Sequence, residues 1–245
     1  MEELFERLSE LGELDAQIDR AAAGHGCLAV VEGPAGIGKS RLLTETRRRA
    51  DGSMLVLSAR GSELEVEFPF GIVRQLFDPV LADPDRRDAL LSGAAAPAAA
   101  VFGELDAASA GAQGASFASL HGLLGLVLAL ADEGPLLLSV DDLHWCDRPS
   151  LMFLTFLARR IESRPILLLT GLREAEPGTD PALLGELTRD PAAARIRPAP
   201  LSDAAVSELI AARLTAAPDG DFAAACLEST GGNPLLLTQL VTALA

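Results

Sequence analysis

Val31-Glu32-Gly33-Pro34-Ala35-Gly36-Ile37-Gly38-Lys39-Ser40-Arg41-Leu42-Leu43 is the stretch that decides the fold class. Its centre, Gly33 to Ser40, has the form G-x-x-x-x-G-K-S, a glycine-rich turn that needs a strand before it and a helix after it to cradle phosphate. Both neighbours are present: Cys27 to Val31 is a short apolar run, and Ser40 to Ala50 has helical character. Glycines let consecutive backbone N–H groups curl around phosphate oxygens, and the following helix aims the positive end of its dipole at the anion. In such a loop Lys39 bridges the β- and γ-phosphates of a nucleoside triphosphate, ATP in the first instance, and the Ser40 hydroxyl ligates Mg²⁺. The expected nucleotide contacts are Gly33, Pro34, Ala35, Gly36, Ile37, Gly38, Lys39, Ser40 and Arg41. A glycine-rich turn that merely joins strand to helix is the competing reading, disfavoured by the complete consensus in its required setting.

Outward from this loop, further short apolar runs read as strands: Met54 to Ser58, Leu136 to Val140, Ile166 to Thr170 and a short piece at Arg195 to Arg197. Helical periodicity covers Glu2 to Ala23 with a break near Gly12, Phe70 to Leu81, Phe117 to Ala131 and Ser150 to Ile161. Buried strands alternating with helices predict a mainly parallel sheet covered on both faces, the three-layer α/β arrangement of a P-loop NTPase. Beyond Pro198-Ala199-Pro200 only helices are predicted: Asp203 to Leu214, Phe222 to Ser229 and Pro234 to Leu244. The expected division is therefore a nucleotide-binding domain over 1–198 and a small all-α subdomain over 199–245. Ser92 to Ser116, rich in Ala and Gly with little periodicity, predicts a variable insertion instead of a core element.

Two further places carry chemistry. Strand Leu136 to Val140 ends in Asp141-Asp142, and open parallel sheets bind ligands at that edge of their strands. Asp141 is the expected Mg²⁺ ligand, directly or through water, and Asp142 the group that orients or deprotonates an attacking water. Strand Ile166 to Thr170 runs on to Arg173, which either senses the γ-phosphate or forms a surface salt bridge with Glu174 or Glu176. The expected catalytic set is Lys39, Asp142 and Arg173. His144-Trp145 is expected to pack under the site. Asn233-Pro234 follows a Gly-Gly turn and reads by itself as an ordinary capped helix start.

Composition limits the alternatives. With 20 basic against 35 acidic residues the formal charge is −15, which argues against nucleic acid or an anionic membrane surface as the main partner. Of the 20 basic residues 19 are Arg, so the single Lys at position 39 is informative. A compact ammonium sits among phosphate oxygens where a planar guanidinium would not fit. Cys27, Cys146 and Cys226 are widely spaced, suggesting neither a disulfide framework nor a zinc site, and a reducing cytoplasm is the expected location. The charged N-terminus lacks a signal-peptide core, and the apolar run from Leu120 to Leu130 falls short of the ~20 residues that span a bilayer.

Phe5-Glu6-Arg7 to Leu14, VEGPAGIGKSRLL, SVDDLHWCDRPSL, LLLTGLRE and STGGNPLLL together resemble the ATPase module of the STAND class of P-loop NTPases, an AAA-like module found in large bacterial LuxR-type transcriptional regulators and some cyclase-linked proteins. The resemblance implies extra strands between the phosphate-loop strand and the paired-Asp strand, Arg173 as first sensor, and Pro234 against the adenine. It also implies that backbone at Glu6 and Arg7 frames the base, although Phe5-Glu6-Arg7-Leu8 stands where such proteins have Gly-Arg-Glu. Winged-helix, repeat and helix-turn-helix regions normally follow in these regulators and none follows Ala245, so the segment is expected to be either a fragment, with effector or regulatory domains of a longer chain as partners, or a short relative. The segment itself is expected to contact neither nucleic acid nor membrane, and to self-associate in a nucleotide-dependent way.

The leading functional expectation is a regulatory switch: ATP and Mg²⁺ hold Leu201 to Ala245 against the sheet, and hydrolysis to ADP releases it. An ATP-binding scaffold with negligible turnover, in which Asp142 only holds water, is the alternative. A small-molecule kinase is disfavoured because the only lid-sized insertion, Ser92 to Ser116, carries no Arg. A GTPase is disfavoured because one Lys, at position 39, leaves no Asn-Lys-x-Asp base-reading motif.

Overall fold

Helices separate every strand from the next in the computed structural model, which describes residues 5–103, 116–174, 180–214 and 219–244. In chain order they are α1 (Leu8–Ala22), β1 (Cys27–Gly33), α2 (Lys39–Ala50), β2 (Leu55–Arg60), α3 (Gly71–Phe77), α4 (Pro84–Leu90), α5 (Phe117–Glu133), β3 (Leu136–Asp141), α6 (Arg148–Ala158), β4 (Ile166–Arg173), α7 (Pro181–Thr188) and β5 (Ala194–Ile196). Three helices follow: α8 (Asp203–Leu214), α9 (Gly220–Thr230) and α10 (Pro234–Leu244).

The five strands form one sheet in the order β2-β3-β4-β1-β5, and every pairing is parallel. A single strand, β4, separates β1 from β3, where the resemblance implied extra strands. The central strands are buried on both sides, so they read as unbroken apolar runs, yet alternate residues still serve opposite faces. Leu28 and Val30 of β1, Leu136, Leu138 and Val140 of β3, and Ile166 and Leu168 of β4 join one core with α3, α5 and α6. Cys27, Ala29 and Val31 of β1, Leu137 of β3, and Leu167 and Leu169 of β4 join a second core with α1 and α2. That is the three-layer α/β architecture. A separate cluster, built on Leu201, Val206, Leu209, Ile210, Cys226, Leu237 and Val241, holds α8, α9 and α10 together.

Three expectations need correction. α1 runs through Gly12 without a break, because the apolar stripe Leu11, Leu14, Ile18 continues across it and a single glycine costs a helix only about 1 kcal/mol. The helix expected over 70–81 ends at Phe77 and closes in a turn. The Ala-rich stretch is not peripheral: residues 93–100 form a 3₁₀ helix laid against α5, with Ala95, Ala98, Val101 and Phe102 in the main core. Small side chains are what this packing requires. A Cβ on Gly122 would meet the Ala98 backbone nitrogen at 2.4 Å, and one on Gly125 the Ala94 carbonyl carbon at 2.8 Å, so the two backbones touch through a glycine notch. Residues 104–115 of the expected insertion lie outside the described residues.

Candidate nucleotide site

β1 delivers Gly33 to the C-terminal edge of the sheet, and the loop 34–38 carries the chain into α2 at Lys39. Gly36 and Gly38 adopt φ values of 78° and 107°, left-handed backbone that favours glycine. The Lys39 side chain is buried, and its ammonium donates to the Gly33 carbonyl at 2.9 Å and the Pro34 carbonyl at 2.8 Å. Burial, and after it the positive charge of Arg173, push the Lys39 pKa down, while Asp142, Asp141 and Glu174 oppose the shift. Arg173 lines the same space as Lys39, and the β1/β4 register pairs its backbone with Gly33.

β3 brings Asp141 and Asp142 to the same edge, both buried. Asp141 Oδ1 accepts the Asp142 backbone N–H at 2.9 Å, and room for this carboxylate exists only because its neighbour on β4 is glycine: a Cβ on Gly171 would lie 2.6 Å from Asp141 Oδ1. Asp142 sits at φ 48° in the left-handed region. Its Oδ2 accepts from Arg60 Nε at 3.0 Å and Nη2 at 2.8 Å, and the buried His144 ring lies 4.0 Å from its Oδ1. The acid expected to hold water is thus held by a guanidinium.

Arg60 stands outside the predicted strand Met54 to Ser58, whose apolar run stops short of it. β2 runs on to Arg60, and its register with β3 sets Arg60 beside Asp141. Asp147 is a second residue that the sequence reading missed. Its Oδ1 accepts from Phe70 N at 2.8 Å and Ser150 N at 2.9 Å, and Oδ2 from Ile72 N at 3.2 Å, so one buried carboxylate caps α6 and fastens the start of α3. An Asp two residues before a Pro at a helix start was the available signal.

Lys39, Arg60, Asp142 and Arg173 line a cavity of about 790 Å³ together with Phe5, Arg7, Gly36, Ser40 and Arg41, and the helical part adds Leu201, Leu209, Arg213, Pro234, Leu235 and Thr238 to its wall. Arg7 is buried and donates to the Ile37 carbonyl at 3.2 Å; burial pushes its pKa down. Glu6, at φ 52°, accepts the Ser202 backbone N–H at 2.8 Å, which holds its carboxyl below the usual range. The N-terminal segment therefore touches both the phosphate loop and the helical part. Asn233 Nδ2 donates to the Ala35 carbonyl at 2.9 Å, and Leu235 N to the Gly36 carbonyl at 3.3 Å. His144 and Trp145 pack against one another with centroids 5.1 Å apart, and the Trp145 Cβ would lie 3.1 Å from a Cβ on Gly61, beside Arg60. Glu176, an alternative partner for Arg173, lies outside the described residues. Cys27, Cys146 and Cys226 are free and buried, and burial raises the Cys27 pKa to about 11. Among the described residues no helix is long and apolar enough to cross a membrane.

A parallel α/β sheet with a glycine-built phosphate loop and paired carboxylates at its C-terminal edge defines a P-loop NTPase. The chain belongs to the AAA ATPase domain family, whose model matches residues 3–169. An uncharacterized protein of Rhizobium meliloti is 31% identical in an alignment 195 residues long that covers 69% of this chain and 18% of that protein. The chain thus spans less than a fifth of the curated relative it matches. Among solved structures, a Walker-type ATPase of Pyrococcus abyssi superposes with a TM-score of 0.56 at 15% identity, covering 96% of this chain and 66% of that one. Cdc6p of Pyrobaculum aerophilum gives 0.54 at 17%, covering 89% and 51%. A STAND protein of Pyrococcus horikoshii with a tetratricopeptide repeat sensor gives 0.52 at 15%, covering 93% and 29%. At these identities the structures speak for the fold; the family match makes the chain an ATP-binding ATPase domain.

Proposed function

We propose that this chain is a regulatory ATPase switch, the nucleotide-responsive module of a signal-transduction or transcription regulator of the STAND, LuxR-associated kind, with the dividing point between 198 and 199. One observation carries the reading: the helical part forms a wall of the nucleotide cavity and hydrogen-bonds directly to the phosphate loop at Ala35 and Gly36. A ligand in that cavity touches both parts at once, and it shifts their relation to the extent that it binds two arrangements differently.

The residues fit ATP with Mg²⁺. The loop has the backbone curvature of a phosphate cradle, the cavity is large enough for a nucleotide, and Ser40 and Asp141 offer the hard oxygen donors Mg²⁺ prefers. Bound Mg-ATP supplies the transferable phosphoryl group and the charge neutralisation. Lys39 turns from the Gly33 and Pro34 carbonyls toward phosphate oxygens, Asp142 orients water, and Arg173 meets the γ-phosphate. Phe5, Leu201, Leu209 and Pro234 offer the apolar surface for the adenine, with Glu6 and Arg7 closing that end.

Limited proteolysis at Pro198 to Pro200 tests the switch. Mg-ATP is expected to protect this connection at least about fivefold more strongly than Mg-ADP. Equal protection by both nucleotides at saturation would contradict the proposal, because a ligand with no preference between two states moves neither.

A second reading, a nucleotide-bound scaffold with little turnover, is favoured by the Arg60–Asp142 pair, which occupies the catalytic acid. Phosphate release separates the two. For a switch, Asp142→Asn lowers turnover about 100-fold, the scale of a lost general base. Arg60→Ala raises it about two- to fivefold, since Arg60 is largely exposed and such a pair is worth about 1 kcal/mol or less. Turnover at the background level in wild type and both variants would leave the scaffold standing. Nucleotide-dependent self-association, a cytoplasmic setting and effector domains in a longer chain belong to the same proposal.

A further inference from the structure

The only Asn in the chain does two jobs with one amide group. Asn233 Oδ1 accepts the backbone N–H of Leu235 at 3.0 Å and of Leu236 at 3.3 Å, capping α10. On the other side its Nδ2 donates to the Ala35 carbonyl in the phosphate loop at 2.9 Å. Ser or Asp caps a helix as well as Asn does. Neither offers a donor at the far end of a planar amide, so capping alone does not select Asn here.

The geometry of the trans peptide says what the second bond accomplishes. A carbonyl and the N–H of the next residue point in opposite directions from one peptide plane. Holding the Ala35 carbonyl outward turns the Gly36 N–H inward. The neighbouring bond, from Leu235 N to the Gly36 carbonyl at 3.3 Å, turns the Ile37 N–H inward in the same way. The fit is close: a Cβ on Gly36 would lie 2.7 Å from both Asn233 Oδ1 and Leu235 Cβ.

We propose that Asn233 is a positioning residue that fixes the orientation of two phosphate-loop peptides from the helical part, so that helical docking preorganises the anion-binding N–H groups and an occupied loop tightens the docking in return. The inference rests on the nucleotide site proposed above and adds the atoms through which loop and helices are coupled. Coupling of this kind is reciprocal by thermodynamic necessity. Because the N–H groups face phosphates common to ATP and ADP, the effect falls on binding of both, not on the chemical step.

Asn233→Asp is the discriminating variant, since it keeps the cap and replaces the donor facing the Ala35 carbonyl with an acceptor; Asn233→Ser is the uncharged check. Hydrogen exchange on nucleotide-free protein is expected to show amides of residues 35–37 and Leu235 exchanging about tenfold faster in Asn233→Asp, with the rest of α10 still protected. Titration with Mg-ADP and Mg-ATP is expected to show Kd raised about tenfold for both in Asn233→Asp and about threefold or more in Asn233→Ser, with kcat at saturating ATP within about threefold of wild type. A pure cap would leave both variants like wild type in exchange and in Kd, and that result overturns the proposal. A kcat loss with unchanged Kd would overturn it as well, by placing the residue on the chemical step. Were the wild type to bind neither nucleotide, the nucleotide-site reading would fail while the exchange comparison still judged the clamp.

Discussion

Lys39→Ala is expected to weaken binding of ATP and ADP by at least about 100-fold, with turnover falling below detection. The ammonium is buried, burial and then Arg173 disfavour its charge against the opposing pull of Asp142, Asp141 and Glu174, and among the described residues it donates to two loop carbonyls. A bound polyphosphate replaces those neutral acceptors with anionic oxygens. Hydrogen bonds to charged groups contribute about 1.5–3 kcal/mol each. Losing one or two of them accounts for about 100-fold, or roughly 2.7 kcal/mol. Arg at this position is not a rescue, because the loop admits a point charge and not a planar fork. Thermal stability of the nucleotide-free variant is expected to stay close to wild type, since the Gly33 carbonyl keeps the Glu174 N–H at 3.3 Å and Pro34 is exposed to solvent. Calorimetric titration decides the matter: an affinity within about threefold of wild type would remove Lys39 from the site.

Asp147→Ala is expected to cost about 3–5 kcal/mol of stability. Its carboxylate is 2% exposed and is the acceptor for three backbone N–H groups, those of Phe70, Ile72 and Ser150. Truncation strands all three in the core, at about 1–3 kcal/mol for each buried donor left without a partner. It also frees Phe70 from a left-handed conformation at φ 59°, which a bulky L-residue does not keep unless its surroundings enforce it. Against a total stability of about 5–15 kcal/mol this is a large share. For a chain of this size it corresponds to a fall in Tm of roughly 10 °C. Asp147→Asn keeps an acceptor for the Phe70 and Ser150 N–H groups but turns an NH₂ on the N–H of Ile72, so it is expected to recover only about half of the loss. Scanning calorimetry checks both variants. A Tm for Asp147→Ala within about 2–3 °C of wild type would show that water substitutes freely for the carboxylate.

How far the fold could be read from the chain differs from element to element. The strands Leu136 to Val140 and Ile166 to Thr170 announce themselves because a strand buried on both faces needs apolar residues at every position. Their ends are less legible. β2 and β4 each run on through polar residues at the sheet edge, and those residues, Arg60 and Arg173, belong to the site. Two helices that periodicity did not reveal, α4 and α7, both open on an Asp-Pro pair, Asp83-Pro84 and Asp180-Pro181, with the Asp side chain capping. That signal was present; it failed to register because each helix is a short one with a weak apolar stripe. The Ala-rich run at 93–100 misleads for a different reason. Small residues look like a lack of core commitment until the glycine notch of α5 is seen opposite them.

The amino-acid sequence alone determined the phosphate loop, the two acids at the end of the third strand and the helices α8, α9 and α10, because each is set by local chemistry: φ-permissive glycines, a compact cation, an apolar run that stops at carboxylates. Tertiary structure alone decided which distant groups meet. Arg60 reaches Asp142, 82 positions away, through the register of two strands; Asp147 grips α3; and Asn233 crosses 198 positions to the Ala35 carbonyl. Such contacts depend on the order of strands in the sheet and on where the helical part docks, and no local periodicity carries that information.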